Sequence, residues 1–161
     1  GMPVRIDNLA NEQAKSEAKA EHRTIAGRIE FWATVGRAAI DNPELPVDFV
    51  VQVLASMKEP RSDATPFQPR AAIDDQAVQT RRFARQYKKL HDNIASDVDT
   101  AVATVEASPK IGDKKKGDLS ALHVYKFRSQ GQPYLLGYTI GEELKLVYLE
   151  AVGPHEIFYR D

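Results

Sequence analysis

Hydrophobic and polar positions alternate along residues 3–7, a pattern that predicts a short β-strand with its apolar residues on one face. Helical spacing of apolar residues follows, first over about 9–21 and then from the N-cap Thr24 to Asn42. A lone strand exposes unpaired backbone groups and is unstable in water. Because no second strand follows nearby, the pattern predicts a homodimer in which the strands of two chains pair.

A third amphipathic helix is predicted to start near Pro46 and carries a strong apolar stripe. This stripe could complete the core of a dimer or dock on the second half of the chain. Residues 60–69 then change to Pro, Ser, Asp, Thr and Gln, a composition typical of a linker. The predicted organisation is therefore a first domain over 1–59, a linker over 60–75 and a second domain over 76–161.

The second half shows helical spacing first and strand-like alternation afterwards. A short strand is predicted at 76–80, and two amphipathic helices follow, the second over about 93–108. Three strand-like runs, separated by glycine-containing turns, come next at 122–129, 134–140 and 144–152. Antiparallel hairpins are the shortest connections between such runs. This half is therefore expected to be an α+β domain, with two helices packed on a mainly antiparallel sheet.

Composition narrows the class of protein. The sequence has no Cys, which removes disulfides and thiolate metal ligands, and neither a metal site nor a cofactor is predicted. A reducing cytoplasm fits this composition. No apolar run approaches the roughly 18 residues that cross a membrane, and no secretory signal is recognisable, so a cytoplasmic protein without membrane contact is expected.

Charge is nearly balanced overall, at −1, but the basic residues form two clusters. The first consists of Arg81, Arg82, Arg85, Lys88 and Lys89, and the second of Lys110, Lys114, Lys115, Lys116, Lys126 and Arg128. Such patches attract phosphates. On charge alone, a solvated helix face and a solvated loop explain the two clusters equally well.

The order strand, helix, helix, with Pro-Val-Arg-Ile at 3–6 and Arg-Ile-Glu-Phe-Trp at 28–32, resembles the ribbon-helix-helix antitoxins of the ParD-like branch. The resemblance implies that two strands from two chains enter the major groove of operator DNA. Arg5 would then read guanine and Asp7 would accept from cytosine, while Thr24 and the first amides of its helix would hold a phosphate. The alternative for Arg5 is an ordinary edge charge that discourages aggregation.

The second half resembles the RelE/ParE superfamily of bacterial toxins, through Tyr-Lys-Phe-Arg at 125–128 and the closing segment 153–160. Alternation places Lys126 and Arg128 on one face of the predicted strand. RelE-type toxins cleave messenger RNA on the ribosome, and the resemblance implies that these two cations neutralise the scissile phosphate. The RNA 2′-hydroxyl would be the nucleophile, so no metal would be needed.

The closing segment supplies the other candidate catalytic residues. The resemblance implies that His155 is a general acid or base and that Tyr159 stacks on a base. The alternative for His155 is a structural residue that caps the last strand. RNA binding would fall to the basic clusters, in particular Arg81, Arg82, Arg85, Lys114, Lys115 and Lys116.

Taken together, the two resemblances predict a fused type II toxin-antitoxin protein, in which a DNA-binding, autoregulating antitoxin half neutralises a RelE-like toxin half that cleaves ribosome-bound messenger RNA. RelE carries a further Arg where this chain has no cation, at 133–135. The ParE branch shares the fold, inhibits DNA gyrase and lacks the nuclease site. A gyrase inhibitor therefore stays open, as does a transcription regulator with an inactive toxin-like domain. The sequence also leaves open whether neutralisation occurs within a chain or between chains.

Overall fold

The computed structural model describes residues 24–70, 76–141 and 146–155. These ranges form a mixed α/β structure with four α-helices and one six-stranded sheet. The predicted ribbon strand at 3–7 and the helix at 9–21 lie outside the described residues, as do three candidate site residues, Arg5, Asp7 and Tyr159.

The helices are α1 Ile25–Asp41, α2 Val47–Met57, α3 Arg81–Lys88 and α4 Asp92–Ala107. The strands are β1 Thr65–Pro66, β2 Val78–Gln79, β3 Asp113–Lys114, β4 Leu122–Ser129, β5 Gln132–Ile140 and β6 Val147–Pro154. Their order in the sheet is β1-β2-β6-β5-β4-β3, and the pairing of β2 with β6 is parallel while the other pairings are antiparallel. Within the described ranges, no helix is long and apolar enough to cross a membrane.

The strands of the central hairpin follow the predicted alternation closely. β4 has the predicted bounds, and β5 begins slightly before its predicted start. Gln130 and Gly131 connect the two strands with φ angles of 53° and 77°, the left-handed values that a two-residue type I′ turn requires. This turn matches the right-handed twist of its strands and so fixes their register.

One face of the sheet packs against α3 and α4. Its core contains Phe83 and Tyr87 from α3, Val98 and Val102 from α4, and Tyr138 from β5. The other members of this cluster are Phe67, Ala77, Ala95, Ala101, Val105, Leu136, Val147, Leu149 and Val152. This layer is the helical pair on a sheet that the sequence of the second half predicts.

The opposite face of the same sheet packs against α1 and α2. The stripe of α2 supplies Phe49, Val50, Val53 and Leu54, which are all buried. The sheet and the turn before it contribute Leu119, Leu122, Val124, Leu135 and Ala151. Burying a side chain of this size contributes roughly 1.5–3 kcal/mol. Of the two positions that the sequence leaves open for α2, the structure shows docking on the second half, so helices cover both faces of the sheet.

Part of the segment predicted as a linker over 60–75 packs against the second half. Residues 61–63 form a 3-10 turn, and β1 pairs with β2 at the edge of the sheet, where a proline is tolerated. Phe67 is 2% exposed and its ring lies edge-on to the rings of Phe83 and Tyr87. The composition of this segment, rich in Pro, Ser and Asp, does not indicate that it packs on the sheet. It is held there by one aromatic residue and by two arginines that contact residues far away in the sequence.

Candidate functional site

The buried and paired polar side chains lie mainly where the N-terminal half, residues 24–70, meets the C-terminal half, residues 76–155. We call this contact the intrachain interface. It has an apolar centre under α2 and a set of polar contacts around that centre. Within the described ranges, no group of three or more His, Cys, Asp or Glu side chains could hold a metal ion.

The loop after β3 is held by the end of α1. The Asn42 side chain, 1% exposed as a residue, donates to the Lys116 carbonyl at 3.1 Å and accepts from the Lys116 amide at 3.0 Å. Arg37 pairs with Asp118 at 3.2 Å. Gly117 has a φ of 63°, and a Cβ added there would clash with the Asp41 carboxylate. Glycine is therefore favoured at this contact by its backbone conformation, and a side chain there would require the Asp41 carboxylate to move.

The loop between α1 and α2 places an acidic residue on a buried lysine. Lys115 Nζ donates to Glu44 Oε1 at 2.7 Å, and the two side chains are 6% and 42% exposed. The hydrogen bond from Lys115 lowers the pKa of Glu44, and the positive charge of Lys126 adds to this effect. Glu44 therefore stays ionised and neutralises a cation of the other half.

A buried carboxylate lies between α2 and the sheet. The register of β5 and β6 shifts so that Gly137 faces Ala151 and Tyr138 faces Leu149, which leaves Glu150 as the extra residue of a β-bulge. Glu150 is fully buried, and Arg61 Nη1 lies 2.7 Å from its Oε1.

Three hydroxyl groups complete the surroundings of this carboxylate. Ser56 of α2 donates to Glu150 at 2.8 Å, and Thr139 of β5 donates at 2.9 Å. The Ser56 hydroxyl is also 2.6 Å from that of Thr80, which caps α3. Buried charges are tolerated when they are paired and hydrogen-bonded. Here both the cation and one of the hydroxyl groups come from the N-terminal half.

The start of α3 is covered in a similar way. The Glu59 carboxylate accepts from the backbone amides of Arg81 and Arg82 at 2.8 and 3.1 Å, where the helix dipole favours a negative charge. The Arg81 side chain lies 3.6 Å from Asp63, and Arg82 donates to Gln52 of α2 at 2.9 Å. Two of the three arginines predicted to bind RNA here, Arg81 and Arg82, thus contact the N-terminal half, while Arg85 is exposed.

Arg70 fastens the last described part of the N-terminal half to the turn between α3 and α4. Its guanidinium donates to the carbonyls of Tyr87 and Leu90 at 2.8 and 2.7 Å and pairs with Asp92 at 3.0 Å. The Tyr87 hydroxyl donates to Asp99 at 2.5 Å. Burial, and then this hydrogen bond, raises the pKa of Tyr87 to about 12.

The structure brings three of the four predicted catalytic positions to one region of the sheet. Lys126 and Arg128 are exposed and share the face of β4 that carries Leu122 and Val124 under α2. Tyr125 and Phe127, on the other face, pack against the α3 and α4 core.

The third position, His155, follows β6 directly. Its backbone amide donates to the Pro133 carbonyl at 2.9 Å, and Pro133 is paired with Arg128. Arg128 and His155 therefore lie in one row across three strands.

The remaining predicted residues divide between the two halves. Lys114 and Lys116 are exposed, whereas Lys115 is buried against Glu44. Thr24 caps α1, its hydroxyl accepting from the Gly27 amide at 3.0 Å, as its sequence position predicts. Sequence reasoning missed Asn42, Glu44, Glu59, Arg61 and Arg70. The signal that could have found them is the concentration of charged and amide side chains in the loops that flank α2.

Two family models match the chain, and the boundary between them falls between the N-terminal and the C-terminal half. Residues 1–73 match the ParD-like antitoxin of type II bacterial toxin-antitoxin system, and residues 77–161 match the ParE-like toxin of type II bacterial toxin-antitoxin system. Among curated proteins and among solved structures, no significant match was found.

The two matches identify a toxin-antitoxin protein with both components on one chain. The chain belongs to the ParE-like toxin family and carries a ParD-like antitoxin domain before the toxin domain, so it is a fused type II toxin-antitoxin protein. The N-terminal half is hereafter the antitoxin half, and the C-terminal half is the toxin half.

Proposed function

We propose that this fused protein holds its own toxin half inactive through the intrachain interface. The observation that carries the proposal is the position of α1 and α2 on the sheet face that also presents Lys126 and Arg128. The antitoxin half supplies the partners of Lys115, Glu150 and the α3 N-terminus. A ligand that binds Lys115 or the N-terminus of α3 would have to displace these contacts, so we expect the intact chain to be latent.

The activity proposed for the released toxin half is cleavage of ribosome-bound messenger RNA. Its support is the shared face of Lys126 and Arg128 and the row that joins Arg128 to His155. The two cations would stabilise the charge that builds on the scissile phosphate, and His155 would transfer a proton. Tyr159 is assigned to base stacking by resemblance to RelE-type toxins.

Inhibition of DNA gyrase is the second candidate activity of the toxin half. The family description, ParE-like rather than RelE-like, favours it, and so does the lack of a cation at 133–135. A transcription regulator with an inactive toxin-like domain is the remaining alternative.

Expression of residues 76–161 alone, compared with the full chain, separates these activities. Arrest of protein synthesis without DNA damage would support the nuclease, and that arrest should disappear in Lys126→Ala/Arg128→Ala. Induction of the DNA-damage response would support gyrase inhibition. A folded fragment that leaves growth unchanged would support the regulator and contradict both toxin activities.

The isolated fragment exposes the apolar sheet face that α2 covers in the full chain, which favours misfolding. A second variant therefore tests the same proposal in the full chain. Val53 of α2 is fully buried between the helix and the sheet. Val53→Asp in the full chain would place a charge in that core and loosen the cover while retaining the entire sequence. Growth inhibition by Val53→Asp, absent in the parent, would support latency through the intrachain interface.

For the antitoxin half, we propose a homodimer through the strand at 3–7 that binds operator DNA and represses its own promoter. Arg5→Ala should weaken promoter binding by about 1–3 kcal/mol if the guanidinium reads a base. Thr24→Ala should weaken binding more uniformly across DNA sequences, because a phosphate contact carries no base information. Unchanged gel shifts for both variants, or a monomer by light scattering, would contradict this part of the proposal.

A further inference from the structure

Lys115 is a buried cation whose counter-charge belongs to the other half of the fused chain. Its side chain is 6% exposed, and its ion-pair partner is Glu44 of the antitoxin half at 2.7 Å. Within the described ranges, no carboxylate of the toxin half forms an ion pair with Lys115. A buried charge without a partner is strongly unfavourable. Whenever Glu44 leaves, Lys115 therefore requires another anion or full hydration.

A second lysine acts on the same carboxylate. Lys126 of β4 contributes to the lowered pKa of Glu44 through its positive charge, after the hydrogen bond from Lys115. Lys126 is exposed and lies on the sheet face that α2 covers further along the strand. The Glu44 carboxylate thus binds Lys115 directly and feels the positive charge of Lys126, which lies on the same face of the sheet.

We propose that Lys115 and Lys126 form a phosphate-binding site of the toxin half, and that Glu44 occupies this site as a built-in substitute for the phosphate. The ligand class is a phosphate-type oxyanion, carried by a nucleic-acid backbone or by a free phosphate. The inference rests on the proposed latency of the toxin half and gives that latency a residue-level basis.

The arrangement of the neighbouring charges favours a phosphate chain over a single carboxylate. Arg128 follows Lys126 on the same strand face, roughly 6.6 Å further along by strand geometry. A ligand with one negative charge can pair with Lys115, whereas a polyanion can also follow Lys126 and Arg128 along β4. Basic residues in a row are the usual means by which a protein follows a nucleic-acid backbone.

The position of Glu44 is accessible from solvent in the intact chain. Its side chain is 42% exposed, and it lies in the short loop between α1 and α2 rather than inside a helix. Glu44→Ala therefore removes the competing carboxylate and leaves space for an incoming oxyanion. The neighbouring apolar contacts of α2 are left in place, so the full chain can be used for the test.

The experiment measures binding of two probes to the full-length protein. The probes are inorganic phosphate, followed by calorimetry, and a short fluorescent single-stranded oligoribonucleotide, followed by anisotropy. We expect Glu44→Ala to bind at least one probe about tenfold more tightly than the parent. This is the gain in affinity that one charge-assisted hydrogen bond provides. Adding Lys115→Met to Glu44→Ala should abolish the gain.

Asp48→Ala is the matched control, because it removes one exposed carboxylate at the start of α2 and changes the net charge equally. It should leave probe binding at the parental level. If Asp48→Ala tightens binding as much as Glu44→Ala does, the effect is one of net charge and the proposal is overturned. Glu44→Gln, which keeps the side-chain volume, serves as a second variant should Glu44→Ala not fold.

The two probes distinguish the sources of the oxyanion. A gain for the oligoribonucleotide alone assigns the site to a nucleic-acid backbone, and a gain for inorganic phosphate alone assigns it to a free phosphate. If the folded Glu44→Ala and Glu44→Gln proteins gain affinity for neither, Glu44 is only a structural partner of Lys115 and the proposal fails.

Failure of the binding test is distinct from failure of the proposed function. The growth experiment with Val53→Asp does not depend on Glu44, so it can support latency even when no phosphate binds. Conversely, a Lys115-dependent gain in binding together with a harmless toxin half would leave the site in place and remove the toxin activity.

Discussion

Arg61 shows how strongly one residue of the supposed linker is tied to the core. Its guanidinium is the ion-pair partner of the fully buried Glu150, and it also lies over the Tyr148 ring at 4.6 Å. We expect Arg61→Met to lower the free energy of unfolding by about 3 kcal/mol, since removal of one partner leaves the other charge buried and uncompensated. Urea denaturation measures the change.

Two variants serve as controls for Arg61→Met. Arg85→Met removes an exposed arginine and should change stability by less than about 0.5 kcal/mol. Adding Glu150→Gln to Arg61→Met should recover part of the loss, because the buried charge is then absent. Equal effects of Arg61→Met and Arg85→Met would show that the ion pair contributes nothing to stability.

Ionisation of Tyr87 should make the stability of the folded protein depend on pH in the alkaline range. Its pKa is raised from 10.0 to about 12, first by burial and then by the hydrogen bond to Asp99. Because the folded pKa exceeds the unfolded one, the stabilising contribution is complete below pH 10 and is lost as the pH rises toward 12.

The parent should therefore lose stability between pH 10 and 11.5 more steeply than Tyr87→Phe, which has no phenol to ionise. Urea midpoints across this range, measured for both proteins, test the expectation. Parallel pH profiles would mean that the ionisation of Tyr87 does not differ between the folded and unfolded states.

At the scale of elements, two glycines in different backbone conformations should respond in opposite directions to substitution by alanine. Gly117 has a φ of 63° and approaches Asp41 closely, so Gly117→Ala should destabilise the protein by about 1–2 kcal/mol. Gly36 lies within α1 with open space around its Cα, so Gly36→Ala should stabilise it by about 0.5–1 kcal/mol. Thermal unfolding of the two variants tests both signs. A stabilising Gly117→Ala would show that the loop does not need its contact with α1.

The elements predicted well from sequence are those with a long and regular pattern. The bounds of β4, the cap at Thr24 and the stripe of α2 follow from local rules of alternation, capping and helical spacing. β1 and β3 have two residues each, which is too few for a repeating pattern to be recognised in the sequence. Their existence depends on neighbours in the sheet rather than on their own sequences.

The candidate site is less predictable because its contacts join residues far apart in the chain. Alternation correctly separates Lys126 and Arg128 from Tyr125 and Phe127. Polar residues in the loop before α2 mark Glu44 as a candidate, but they do not specify that its partner is Lys115, 71 residues away in the sequence. The destination of α2 was likewise open, because an apolar stripe does not specify which surface it will cover.

At the scale of the whole molecule, the two halves share one sheet and two cores. A covalent connection alone keeps an antitoxin domain at an effective concentration on the order of millimolar when the linker is short and flexible. Here the apolar face of α2, the Glu150 cluster and the Arg70 contacts add direct affinity. We therefore expect the halves to stay together even when they are no longer covalently joined.

A protease site inserted between residues 73 and 77, where the two family matches meet, tests this expectation. After complete cleavage at micromolar concentration, the two fragments should co-elute in size-exclusion chromatography. The same cleavage in a Val53→Asp protein should release the fragments, since that substitution disrupts the apolar centre of the interface. Separate elution of the parental fragments would show that the peptide connection itself keeps the toxin half covered.

The order of the elements along the chain has a consequence for synthesis. α1 and α2 precede all the strands of the sheet face that they cover. Translation proceeds at roughly 5–20 residues per second, so both helices leave the ribosome several seconds before β6 is complete. The last strand of the toxin half is therefore added to a sheet whose cover already exists. At no stage of synthesis is the toxin half complete before the helices that cover its sheet.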